Sequence, residues 1–171
     1  MFHALTSFAD AQKQAAVGRV VEDRVRLTAL PRLLDLLASE EGSIEYRITF
    51  DNDATGRPCL HVHARGEVQL ICQRTLEAFP YQLEVNALLG AIKREEEEAE
   101  LLADYEPLLL AGGEERSINS IVEDEVLLAL PPIPVKPGSE GKAPVWQEST
   151  QEKAHPFAAL MQLKDKSTGS S

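Results

Sequence analysis

Aromatic side chains make up only 5% of the 171 residues, with one tryptophan, and cysteine occurs twice. A core must therefore be built mainly from leucine, valine, isoleucine and alanine. The 43% hydrophobic content is ordinary for a globular protein and excludes wholesale disorder. Cys59 and Cys72 are not placed in an oxidising compartment by any secretory signal, so they read as free, largely buried thiols. No apolar run approaches the ~20 residues that cross a bilayer, and the opening "MFHALTSFADAQKQ" lacks a basic stretch followed by a long apolar one. A soluble, cytoplasmic chain with no membrane contact is expected.

Positive charge is also scarce, with 17 Lys and Arg against 28 Asp and Glu, a formal net charge of −11. The excess is concentrated: residues 1–92 carry −3, residues 93–125 carry −9 and residues 126–171 carry +1. Phosphate backbones are bound by Lys and Arg, so this balance argues against an independent, high-affinity nucleic-acid binder and favours a basic protein partner. Catalytic templates are missing too. There is no Walker loop, G-x-G-x-x-G, G-x-S-x-G or H-E-x-x-H, and no cofactor is indicated.

What is present reads as an α+β domain. Helix-forming composition in "SFADAQKQAAVG" offers Ser7 as a cap and Gly18 as a stop, and "RVVEDRVRL" turns to β-branched residues. In "TALPRLLDLLASEEG", Leu30, Leu33, Leu34 and Leu37 form an i, i+3, i+4, i+7 face, which predicts an amphipathic helix over 30–39. "SIEYRITF" alternates strictly. From Leu60 to Cys72 the apolar residues keep even positions, as in one long strand bent near Gly66, and "TLEAFP" reverses into Tyr81, Leu83 and Val85. A small antiparallel sheet of three to five strands follows. Residues 93–116 read as a mobile acidic loop, and residues 117–130 as a helix ended by the prolines from Pro131 onward. The expected division is one domain over 1–135 and a flexible Pro/Gly/Ser-rich tail over 136–171, with a short "PFAALMQLKDK" helix and Trp146 packing back onto the domain.

Three clusters invite a chemical reading. Glu123, Asp124 and Glu125 are consecutive, so on a helix they fan out by ~100° each and cannot converge on a metal. They read as surface acids near the start of a helix capped by Ser117, whose buried stripe is Ile118, Ile121, Val122 and Val126. That face could still dock a partner. His61 and His63 share one side of a strand, opposite the apolar parity, and would need a third ligand from elsewhere to bind metal. Cys72 opens "CQRT", where Thr75 takes the place a second zinc-binding cysteine would need, and no cysteine pair follows downstream. Arg74, at the hairpin tip, reads as a turn anchor or a contact for an anionic partner. A direct RNA-binding module through Arg47, Arg65 and Arg74, and a metal-dependent hydrolase using His61 and His63, are the competing readings.

Taken in order, "CQR" after an alternating strand, a phenylalanine in the reversing turn, "YEPLLL", "IVEDEVLLALPPIPV" and "HPFAALMQLK" make the chain, from about Val20 to Lys164, resemble the YceD family of bacterial large ribosomal RNA subunit accumulation proteins. The matching positions include Cys72, Gln73, Arg74, Pro131, Pro134, Pro156 and Phe157. The resemblance implies a non-enzymatic accessory role in accumulating large-subunit ribosomal RNA, in company with a large-subunit ribosomal protein or a pre-ribosomal particle, and no enzyme activity. The chain departs from the family pattern at Thr75, where C-x-R-C is common, at "KPGSEG", where a later cysteine is common, and at His155, where Asn is usual. Glu95, Glu96, Glu97 and Glu98, together with Glu123, Asp124 and Glu125, are the expected attraction for a basic partner.

Overall fold

The computed structural model describes residues 4–5, 7–111 and 116–139. Strand alternation dominates what these residues build. Strands β2 (Val20–Arg26), β3 (Ser43–Asn52), β4 (Pro58–Ile71) and β5 (Ala78–Ile92) form an antiparallel meander in that order, and β6 (Glu106–Leu109) adds to β5 in parallel. Strict parity puts Ile44, Tyr46, Ile48 and Phe50 of β3 and Leu60, Val62, Ala64, Val68 and Leu70 of β4 on the buried face, because side chains alternate along a strand. Cys59 and Cys72 are buried and unbridged, as the sequence suggests.

Helices cover that one face. α1 (Phe8–Ala16) is capped by the Ser7 hydroxyl, which accepts the Asp10 N–H at 3.2 Å, and is terminated at Gly18 with φ +58°. Its buried residues are Ala11 and Ala15, small enough to bring the helix close to the sheet. α3 (Ile118–Ala129) starts where expected: the Ser117 hydroxyl accepts the Ser120 N–H at 3.0 Å, and Ile118, Ile121, Val122 and Val126 are buried. Both helices share one hydrophobic cluster with the strands. A two-stranded pair, β1 (Ala4–Leu5) with β7 (Arg116–Ser117), leads into α3.

Three expectations change. The helix over 30–39 is far shorter: Leu27–Ala29 form a 3-10 turn and α2 spans only Pro31–Leu34. Leu30 and Leu33 are buried as the leucine pattern requires, but after Leu34 the chain continues only as a turn, closed by the Leu36 and Leu37 N–H bonds to the Leu33 and Leu34 carbonyls. β3 pairs with β4 only as far as Gly66, leaving the next stretch of β4 open on that side, and the Ala38 N–H fills the gap by donating to the Gln69 carbonyl at 2.7 Å. Satisfying a strand's open edge ends the helix.

Gly66 interrupts no ladder with a bulge. β4 pairs with β5 continuously through the Gly66–Leu83 pair, and Gly66 opposite Ile44 is the last residue of β4 paired with β3. The lack of a side chain matters because a Cβ there would lie 2.7 Å from Ile44 Cδ1 and 2.8 Å from the Ser43 carbonyl oxygen.

The acidic stretch read as a loop holds two ordered elements, a 3-10 helix over Glu95–Glu100 and then β6. Arg57 clasps it through Glu97 at 3.6 Å and Glu100 at 2.8 Å, and the Lys93 N–H donates to Glu97 at 3.0 Å. Leu101 seats on Gly90 of β5. Edge position suits β6, since Pro107 has no N–H to offer a further strand.

Candidate partner-binding face

The three consecutive carboxylates of α3 fan out as helix geometry demands, but two of them turn inward. Glu123 is 4% exposed and Glu125 is 7% exposed, which corrects the reading of all three as surface acids. Glu123 belongs to the neighbouring helix. Its Oε1 accepts the N–H groups of Arg32 at 2.8 Å and Leu33 at 3.1 Å, and its Oε2 accepts from the Arg32 guanidinium at 3.0 Å. The N-cap of α2 is Leu30, whose side chain cannot cap, so a residue 91 positions away supplies the carboxylate that the helix start needs.

Asp124 remains half-buried at the surface, bridged to Arg32 at 2.7 Å and to Arg116 at 3.0 Å. The carboxylates of Asp124 and then Glu123 hold the Arg32 guanidinium charged beyond its usual range. Glu125 differs from both. Burial first, then the charges of Glu106 and Asp124, push its carboxyl up to about 7. An acid that keeps its proton when folded favours folding at low pH, so stability should be fullest below about 4.5 and fall as pH rises from there to about 7. Urea titrations across that window should show a loss on the order of 1–2 kcal/mol attributable to this group, abolished in Glu125→Gln.

Of the acids in the 3-10 helix, Glu95, Glu96 and Glu98 are exposed, while Glu97 is held low by the Lys93 N–H and by Arg94 and Arg57. The exposed face of the sheet carries Arg24, Arg47 and Arg65, each of them in an ion pair. Arg47 pairs with Glu22 at 3.0 Å, Arg65 with Glu45 at 3.0 Å, and Arg24 with the same Glu45. His61 and His63 lie on that face, and His63 Nδ1 sits 2.8 Å from Asn86 Oδ1. Among the described residues no group of three His, Cys, Asp or Glu could hold a metal.

At the β4–β5 turn, family-pattern residues distant in sequence come together. The Gln73 N–H donates to the Pro134 carbonyl at 2.9 Å, the Lys136 N–H to Cys72 Sγ at 3.3 Å, and Lys136 Nζ reaches Glu77 at 3.0 Å. Ser139 Oγ lies 3.8 Å from the sulfur. Burial resists ionisation of Cys72 most strongly, yet donation from the Lys136 N–H at 3.3 Å, with the polar groups of the Arg74–Thr75 turn beside the sulfur, brings it down to about 6. One sulfur flanked by two hydroxyls is not a zinc donor set, so these residues do not fit that metal. The sulfur serves instead as an acceptor that ties residues 134–139 to the turn. Pro131 is partly exposed beyond α3, whereas Trp146, His155, Pro156 and Phe157, and the expected short helix, lie outside the described residues.

Arg32, Arg116 and Glu106 were not legible as partners of the acidic triplet, because no sequence spacing links them to it. The acids themselves were. With this geometry in place, residues 60–164 match the family model described as large ribosomal RNA subunit accumulation protein YceD. A Haemophilus influenzae protein with that same description is 26% identical over 144 residues, covering 80% of this chain and 83% of the relative. No solved structure matches the chain.

Proposed function

The chain belongs to the YceD family of large ribosomal RNA subunit accumulation proteins, and we propose that it is a non-enzymatic accessory factor in ribosome biogenesis, required for synthesis, processing or accumulation of large-subunit ribosomal RNA in the cytoplasm. It acts by holding a basic large-subunit ribosomal protein or a patch of an assembling particle. The family match carries this reading. The distribution of charge supports its protein-binding form, since Glu95, Glu96 and Glu98 offer negative charge at the surface while Arg47 and Arg65 are each ion-paired with acids of their own sheet. Arginines already paired make weak counterions for phosphate, so contact with RNA is indirect. Arg74 lies at the turn beside Cys72, where its side chain is available to an anionic partner.

The test is a comparison of ribosome profiles from cells with and without the protein. A selective fall in large-subunit relative to small-subunit ribosomal RNA, or build-up of large-subunit precursors, is the expected result. An unchanged ratio refutes the reading.

A further inference from the structure

Between β6 and α3 lies an open groove of about 480 Å³. Leu89 and Leu108 line its sheet side, Leu127 and Leu128 its helix side, and Pro107 its outer edge. Leu128 is 72% exposed, an apolar side chain at the rim with nothing over it among the described residues. Set into this apolar lining is Glu125, more than nine-tenths buried, and the neighbours that act on its carboxyl, Glu106 on β6 and Asp124 on α3, carry charge of the same sign. The cation that also lines the groove, Arg116, is bridged to Asp124 at 3.0 Å.

A buried carboxyl with like-charged neighbours and, among the described residues, no cation of its own is costly to the isolated protein. Natural chains keep such local conflicts mainly where function resolves them. We propose that this groove receives an apolar segment of a basic protein and that a lysine or arginine of that segment pairs with Glu125. The inference rests on the accessory-factor reading above and gives its partner an address.

Charge complementarity selects the occupant. Among the described residues the groove holds three carboxylates against one already paired arginine, so a second copy of this acidic chain would bring repulsion. Regular strand addition does not fit either. The Leu110 N–H donates inward to the Ile92 carbonyl at 2.8 Å, which by alternation turns the Pro107 position outward, where it has no N–H. The partner therefore engages through side chains laid over α3 rather than by extending the sheet.

Purified large-subunit ribosomal proteins, titrated one at a time against the full chain, test this. Glu125→Gln and Leu128→Ser should each weaken the binding protein about five- to tenfold, at low and high salt alike, because the contact is desolvated. Neutralising Glu95, Glu96 and Glu98 should weaken binding at low salt only. Circular dichroism checks that both groove variants fold, as they should, since Leu128 is exposed and Glu125→Gln keeps the shape of the protonated acid. If a ribosomal protein binds but both groove variants stay within about twofold of the parent, the groove is refuted and the accessory role stands. Self-association abolished by Leu128→Ser would also overturn the proposal, in favour of a second copy. If no purified large-subunit protein binds, the groove inference fails, while the ribosomal RNA ratio decides the accessory role separately.

Discussion

Replacing Glu123 by alanine should lower the unfolding free energy by about 3 kcal/mol, whereas replacing its ion-pair partner Arg32 by alanine should cost under about 1 kcal/mol. The asymmetry follows from what each side chain leaves behind. Without the carboxylate, the N–H groups of Arg32 and Leu33 lose their acceptor, and Leu33 is fully buried, so water cannot replace it. An unsatisfied buried donor carries its full desolvation penalty. Without Arg32, by contrast, Glu123 keeps both backbone donors, and the guanidinium removed was about half exposed. Urea denaturation of the two single variants decides the matter. Equal losses would mean that the ion pair, not the capping of α2 by α3, is what the carboxylate contributes.

Gly66→Ala should destabilise the protein by about 2–4 kcal/mol and Gly90→Ala by about 1 kcal/mol or less, although both glycines sit inside long strands. At Gly66 the added methyl meets a backbone oxygen, that of Ser43 at 2.8 Å, as well as Ile44 Cδ1 at 2.7 Å. Relief there requires β3 and β4 to separate, and their pairing carries the centre of the sheet. At Gly90 the methyl meets only the Leu101 side chain, which can choose another rotamer. Midpoints from thermal or urea unfolding that fall equally for the two would show that the crowding at Gly66 is relieved as cheaply as at Gly90.

Local information carried far in this sequence, and its failures mark where distant parts of the chain intervene. The alternation in "SIEYRITF" and from Leu60 to Cys72 specified two strands and their buried faces, because a period of two has a single consistent orientation once one face is covered. Ser117 and the stripe to Val126 specified α3. Leucine spacing at 30–37 described which residues are buried but not how the backbone runs, since that depended on an unpaired carbonyl at Gln69. β6 is not legible in the sequence because four residues, one of them proline, give too short a pattern beside so many glutamates. Most telling are Glu123 and Glu125. In a sequence they look like solvated acids, and only the approach of α2 on one side and β6 on the other makes the first a cap and the second a buried proton carrier.

The tie between Cys72 and Lys136 has a consequence for recognition. α3 is fixed at its beginning by the β1–β7 pair, and shortly after its end by the Gln73–Pro134 and Cys72–Lys136 bonds to the hairpin turn. A helix clamped at both ends has little conformational entropy left to lose when something docks against it. The free energy a partner gains from α3 then goes into holding the partner, not into first ordering the surface it meets.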